Sequence, residues 1–237
     1  MVQELIYNQI PIDFEFLKKK TFDNFIIGDN KKLFHELANV NNSNQIILIY
    51  GQKSSGKTHI CNALLNKSNA SNLFINIEVS LEKIHPSDSY DLLVIDDFDL
   101  LISKPIFEEK LFIILNNQIL NKKPAVITSS RDINECSLTL RDLSSRLLSD
   151  KIFTINELSD SEKIEMMISL SSQRGLVIPE NSLNYIINNC SRDLFFLCAF
   201  IRNLDDVSLS AKKRITIPFI KKVIDLISHQ ETTSEQF

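Results

Sequence analysis

Gly51, Gly56, Lys57 and Thr58 stand in the spacing G-x-x-x-x-G-K-T, directly after the apolar run IILIY at 46–50. Each position answers a demand of phosphate chemistry. A buried strand fixes the entrance of the loop, and the two glycines let the backbone turn tightly enough for its amides to face phosphate oxygens. A helix opening near Gly56 aims its positive end at the same place. Lys57 then reaches the β- and γ-phosphates, and the Thr58 hydroxyl serves Mg²⁺. The alternative is a chance match in a structural loop, which needs strand, glycines and helix to coincide by accident.

A second segment, DLLVIDDFDL at 91–100, is an apolar strand ending in Asp96 and Asp97. Beside a phosphate loop, Asp96 organises Mg²⁺ through water and Asp97 orients or activates a hydrolytic water. Two adjacent carboxylates near phosphates would repel them, so the pair implies a metal. Taken alone, such a pair also reads as a solvated loop; the phosphate loop about forty residues earlier favours the metal reading. The apolar run ending at Thr128 leads into Ser129, Ser130 and Arg131, and in a parallel sheet that end opens on the phosphate edge. The Ser130 hydroxyl then either bonds the attacking water or γ-phosphate, or caps the turn before Asp132. Arg146, in LSSRLL, either stabilises transferred charge beside a γ-phosphate, worth roughly 10³ to 10⁵ in rate, or pairs with Asp142 or Asp150 on the surface. Its own loop is too distant, so a functional role requires a neighbouring chain.

The elements that must position these groups follow from periodicity. Short β-rich runs, 45–50, 73–77, 92–95, 125–128 and 152–155, alternate with helical stretches. Such near-continuous apolar strands predict an α/β fold with a five-stranded parallel sheet covered by helices on both faces. The clearest helix is 104–122, with Phe107, Leu111, Ile114, Leu115 and Ile119 on one side. After Asn156 the strand signals stop. Ser159 with Glu162 forms a capping box for a helix carrying Ile164, Met167, Ile168 and Leu170 and ending near Gly175. Pro179, Asp193 and the Thr216–Pro218 segment open three more helices, the last carrying Phe219, Ile220, Val223, Ile224 and Ile227. The expected organisation is an arm at 1–20, an α/β nucleotide-binding core at 21–155 and a small all-helical domain at 156–237, with a frayed polar tail after His229.

A chain of 237 residues has enough length for one medium domain and a small satellite. Its net charge of −4 gives no broad electrostatic footprint for nucleic acid. Cys61, Cys136, Cys190 and Cys198 lack paired metal spacing, and no secretory or membrane-spanning stretch is evident. Reduced, buried thiols in a cytoplasmic protein are the expectation.

The ordered set GQKSSGKTH, LLVIDDFD, VITSSRD, LRDLSSRL, INELSDSEKIEMMI, RGLVIPENSLNYIINNCSRDL and KRITIPFIKKVI resembles the AAA+ ATPases. Within them it is most similar to the DnaA-type initiator clade and its short Hda-type regulators, over essentially the whole chain. The resemblance implies ADP or ATP, with Mg²⁺, between an α/β core and a helical lid. Phe25, Ile26, Ile27 and Gly28 would lie near the base. Gly51, Ser55, Gly56, Lys57, Thr58 and His59 would surround the phosphates, with Thr58 and Asp96 at the metal, Asp97 at the hydrolytic water and Ser130 at the first sensor position. Arg146 looks like the arginine finger that reaches ATP bound to DnaA.

By the same resemblance, Gln9, Ile10, Ile12 and Phe14 in QIPIDF form a peptide for the β sliding clamp of DNA polymerase III. An extended segment of that pattern presents short apolar anchors and one directional amide, though it also reads as an edge strand. Two departures from the family pattern matter. The chain ends after the lid, so origin recognition through an appended DNA-binding domain is not expected, and contact with DNA is indirect through the clamp. Phe195 stands where a second sensor arginine is expected, and Arg192, three residues earlier, either reaches the nucleotide from the preceding turn or only pairs on the surface, so weak intrinsic ATPase activity with stable ADP occupancy is the expectation. The implied activity is negative regulation of replication initiation by stimulating hydrolysis of DnaA-bound ATP, with a homodimer also allowed. An ADP-locked adaptor without catalytic stimulation and a helicase-loader-like protein fit the same core motifs.

Overall fold

The computed structural model of the protein describes residues 20–67, 71–78, 84, 90–102 and 105–234. The chain divides into two compact units, one ending at Glu157 and the next beginning at Leu158.

The first unit is built on five parallel strands, β1 (Ile46–Tyr50), β2 (Asn72–Ile75), β3 (Leu92–Ile95), β4 (Ala125–Ser129) and β5 (Lys151–Thr154), in the order β2-β3-β4-β1-β5. Alternation along β1 sends Ile46 and Leu48 to one face and Ile47 and Ile49 to the other, and all four are buried. The first face packs with α3 (Phe98–Leu101), α4 (Pro105–Leu120) and α5 (Arg141–Leu147) through Phe98, Leu111, Leu115, Leu143 and Leu147. The second packs with α1 (Lys31–Ala38) and α2 (Lys57–Lys67) through Leu33, Leu37, Ile60 and Leu64. On α4, Leu111, Ile114 and Leu115 are buried and Phe107 and Ile119 pack at the margin, as the helical repeat predicts.

Register assembles the site. β1 pairs with β4 so that Tyr50 faces Ser129, and β3 pairs with β4 so that Ile95 faces Ile127. The residues that follow these pairs, Gly51, Ser130, Asp96 and Thr128, therefore emerge at one edge of the sheet. One strand ends earlier than its apolar run. Ile77 was expected within the second strand but lies in a turn and is 68% exposed. The ladder closes where Asp96 N–H donates to Ile75 O at 2.9 Å, and past that point β3 offers no partner.

The second unit holds α6 (Asp160–Gln173), α7 (Glu180–Asn189), α8 (Leu194–Ala211) and α9 (Ile217–Ser234). Ser159 and Glu162 form the full capping box at the start of α6. Pro179 precedes α7, and the Asp193 carboxylate accepts the Phe196 N–H at 2.8 Å to open α8. After α6 the chain turns at Gly175 with φ +71°, a conformation that favours glycine. The core of this unit is Met167, Leu183, Ile186, Leu197, Phe200, Ile201, Leu204 and Ile220 with their neighbours.

Three expectations change here. Ile168 is 46% exposed, because the buried stripe of α6 runs through Lys163, Met167 and Ser171. The last helix continues beyond His229 to Ser234. All four cysteines are free, yet only Cys61 and Cys136 are buried, whereas Cys190 and Cys198 are partly exposed. No helix among the described residues is long and apolar enough to cross a membrane.

Candidate nucleotide site

The loop between β1 and α2 has the form that phosphate binding asks for. Gly56 takes φ +101°, and a Cβ there would lie 2.9 Å from Phe25 Cε2. Gly51 serves differently from the tight-turn role expected of it. Its φ is not in the left-handed region; a Cβ at this position would instead collide with Ile155 Cγ2 and sit 2.6 Å from Ser55 Oγ. Ser54 supplies the other left-handed residue, φ +62°. The Ser55 hydroxyl is buried without a hydrogen-bond partner among the described residues. An orphan hydroxyl beside two glycines that admit no side chain suits an oxygen-rich ligand pressed against the loop.

Lys57 is 4% exposed, and its ammonium donates to Gly51 O at 2.9 Å, Gln52 O at 2.9 Å and Ser130 Oγ at 3.0 Å. Asp97 Oδ1 lies 3.8 Å away. The lysine is thus held at the loop, and a phosphate would take over some of these acceptor positions. Ser130 belongs to this cluster and does not cap the following turn; Asp132 does, accepting the Asn134 N–H at 2.9 Å.

The acidic pair is held by β4. Thr128 Oγ1 donates to Asp96 Oδ1 at 2.7 Å and accepts the Asp97 N–H at 2.9 Å. Cys61 Sγ donates to the same Asp96 oxygen at 3.5 Å. Asp96 is 5% exposed, whereas Asp97 sits in the left-handed region, φ +49°, and begins α3. Burial raises the pKa of Asp97, and Asp96 and Asp99 raise it further, against the attraction of Lys57. Among the described residues, no cluster of three or more His, Cys, Asp or Glu side chains could hold a metal by itself. Thr58, which is exposed at the start of α2, and Asp96 fit Mg²⁺ only in company with phosphate and water oxygens, the usual coordination of that ion.

The segment 25–28 is fixed from two sides. Phe25 packs on Phe34 with ring centroids 4.7 Å apart and planes tilted by 39°, and meets the His59 ring edge-on at 5.1 Å. His59 Nε2 lies 2.9 Å from Thr21 O, a carbonyl that only accepts, so Nε2 carries the proton. Burial holds the His59 pKa below its ordinary value, with the Thr21 carbonyl opposing and Lys20 adding to the shift. His59 therefore supports Phe25 as a neutral ring. Gly28 has φ +51°, and Ile27 is 39% exposed. Ile27 O accepts from the Asn30 amide at 3.0 Å, and Asn30 also donates to Asn156 O at 3.2 Å and accepts the Asn156 N–H at 2.7 Å.

Arg146 lies apart from this cluster, on the last turn of α5. Four residues on, the Asp150 carboxylate accepts the Ile46 N–H at 2.8 Å, at the amino end of β1. The phosphate loop starts at the other end of that strand, about 15 Å away at about 3.3 Å per residue. The Arg146 guanidinium rests 5.5 Å from the Phe112 ring centroid, and among the described residues it makes no ion pair with Asp142 or Asp150. Arg192 forms an exposed ion pair with Asp160 at 3.2 Å, and Phe195 is 55% exposed. Gln9, Ile10, Ile12 and Phe14 fall outside the described residues.

Four residues essential to the geometry were not singled out by the sequence motifs. Thr128 joins both acids. Asp99, 6% exposed, accepts Ser130 N–H at 2.9 Å and Ser129 Oγ at 3.2 Å and so places Ser130. Asn30 ties the 25–28 segment to Asn156. Glu108 braces α5. Of these, Asp99 lies inside LLVIDDFD, as its third acid, and Thr128 inside VITSSRD, whereas Asn30 and Glu108 fall in none of the motifs.

A phosphate loop after β1, acids after β3, and a polar residue after β4, the central strand that lies between them, define an AAA+ nucleotide-binding protein. The family model described as "Hda, lid domain" matches residues 160–224. An uncharacterised protein of Haemophilus influenzae is 30% identical over 230 residues, covering 92% of this chain and 99% of its own. In fold, the chain is similar to domain III of the Thermotoga maritima replication initiation protein DnaA, with TM-score 0.76, 21% identity and coverage of 92% of this chain and 98% of that one. It is also similar to AMPPCP-bound DnaA from Aquifex aeolicus, with TM-score 0.66, 20% identity and coverage of 82% and 65%. The chain belongs to the DnaA/Hda-type AAA+ proteins.

Two outcomes follow from the acidic pair. Thr128→Val keeps the side-chain volume but leaves the Asp96 carboxylate and the Asp97 N–H each short of a partner. Urea denaturation should show a loss of about 1 to 3 kcal/mol; an unchanged midpoint would mean that the hydroxyl does not hold the pair. For Asp97, a folded pKa above the ordinary 3.8 means that the ionised carboxylate disfavours folding. That penalty is present above the raised value, fades as pH falls through it and is gone below the unfolded value. Asp97→Asn should therefore raise the denaturation midpoint of the ligand-free protein at neutral pH, with the gain shrinking in acid.

Proposed function

We propose that this chain is an ADP- or ATP-binding regulator of replication initiation that stimulates hydrolysis of ATP held by DnaA and is brought to DNA by the β sliding clamp. The observation that carries this reading is Arg146. A guanidinium that makes no contact with the groups around its own phosphate loop, and is paired with no carboxylate among the described residues, is suited to phosphates on another molecule. The Hda-type lid and the DnaA-like fold support DnaA as that molecule. The chain's own site, with Ser55, Lys57, Thr58 and Asp96, would hold nucleotide with Mg²⁺. Asp97 and Ser130 are suited to the water and γ-phosphate of any turnover there.

Phe195 and Arg192 favour a nucleotide that is retained rather than consumed. The second sensor position carries an exposed phenylalanine, and Arg192 is engaged by Asp160. This also supports a second reading, an ADP-locked adaptor that recruits without accelerating chemistry. The decisive assay contains DnaA–ATP, clamp loaded on DNA and this protein with ADP or ATP. Arg146→Ala should lower the stimulated rate by on the order of 10³ while nucleotide affinity stays unchanged; full stimulation by that variant would sink the finger role and leave the adaptor. Gln9→Ala should weaken clamp binding by roughly tenfold in a surface-binding titration, as expected for loss of a directional anchor. Equal affinity would remove the clamp peptide from the proposal.

A further inference from the structure

Arg146 sits on a helix too short to hold itself. α5 has seven residues, and its N-cap, Leu140, offers no side-chain hydrogen bond to the first turn. Another helix supplies what is missing. Glu108 of α4 is 2% exposed, and its Oε2 accepts the Thr139 N–H at 2.8 Å, the Thr139 hydroxyl at 2.8 Å and the Leu140 N–H at 3.0 Å. A carboxylate at that end satisfies donors left open by the helix and opposes the positive pole of its dipole.

One turn further along α4, on the same side, Phe112 lies under the Arg146 guanidinium. Beside these contacts, Leu111 and Leu115 of α4 share a core with Leu143 and Leu147 of α5. The whole length of α5 is therefore referenced to one helix. The nature of the second contact matters. A carboxylate partner would occupy the N–H edge of the guanidinium, whereas an aromatic ring engages its face and leaves the edge donors for a phosphate.

We infer that Glu108 and Phe112 are positioning residues for Arg146: Glu108 fixes the start of α5, and Phe112 holds the guanidinium against its ring, where no carboxylate competes with a nucleotide on another chain for its donors. This rests on the reading of Arg146 as a residue acting in trans. Neither side chain touches that nucleotide.

The test compares Phe112→Leu, which keeps apolar bulk, with Phe112→Tyr, which keeps the ring, and with Glu108→Gln, using the full chain. Two signals are read: the Arg146 side-chain Nε–Hε resonance, and the maximal rate and half-saturating concentration for stimulated hydrolysis of DnaA–ATP. Phe112→Leu should move the resonance and lower the maximal rate roughly two- to fivefold, the range a cation–π contact of this exposure supports. The half-saturating concentration and nucleotide affinity should hold, and Phe112→Tyr should restore both signals. Glu108→Gln should lower the maximal rate in the same manner.

If Phe112→Leu leaves the resonance and the maximal rate unchanged while Arg146→Ala abolishes stimulation, the positioning role is overturned and the finger reading stands. If Phe112→Tyr behaves as Phe112→Leu, the ring is not the cause and the proposal falls. If Arg146→Ala has no effect on stimulation, the reading beneath it fails. The resonance then decides the contact alone, a shift in Phe112→Leu supporting it and none overturning it.

Discussion

A buried ammonium must be surrounded by acceptors, and the edge of this sheet is organised around that constraint. Lys57 is enclosed by two loop carbonyls, the Ser130 hydroxyl and, at longer range, Asp97. Those groups come from the end of β1, the end of β4 and the end of β3. They meet only because the three strands are parallel and in the register that brings Tyr50 opposite Ser129 and Ile95 opposite Ile127. Thr128 and Asp99 then lock the acids and Ser130 around the lysine, so a shift of one strand by one residue would disperse the whole group.

Much of this was legible from local signals. The apolar runs announced the strands, the glycine and lysine spacing announced the loop, and Ser159 with Glu162 announced a helix start that the structure reproduces bond for bond. What local patterns do not carry are bonds between distant side chains. Asn30 reaches Asn156 across 126 positions, Thr128 reaches Asp96 across 32, and Glu108 reaches Thr139 across 31. A lone Asn, Thr or Glu in a strand or helix has many possible partners, and only the packed fold selects one. Ile77 shows the reverse failure. Its hydrophobicity continued the strand pattern, but a strand lasts only as long as its neighbour supplies a ladder.

The role of Gly51 shows how a correct motif can have an incomplete physical explanation. Glycine is expected in a tight loop for its dihedral freedom, and Gly56 uses it. At Gly51 the backbone does not require that freedom. Ile155, just beyond β5, fills the space a side chain would need. The sequence pattern constrains the same residue in both cases, for reasons that only the neighbour strand distinguishes.

Charge balance gives the last step. Asp96, Asp97 and Asp99 lie within four consecutive positions at the sheet edge, facing Lys57 and the largely exposed Arg131. The raised pKa of Asp97 is the measure of that imbalance: burial and two neighbouring acids outweigh the lysine. Phosphates would add negative charge to a place that already carries an excess, which is why the proposed ligand is a nucleotide with a cation. Arg146 is not among the groups that contact Lys57 or the acids. Arg146 is held instead against the Phe112 ring, 5.5 Å from its centroid, and pairs with no carboxylate among the described residues. Under the reading proposed above, that placement suits Arg146 to phosphates on a second molecule.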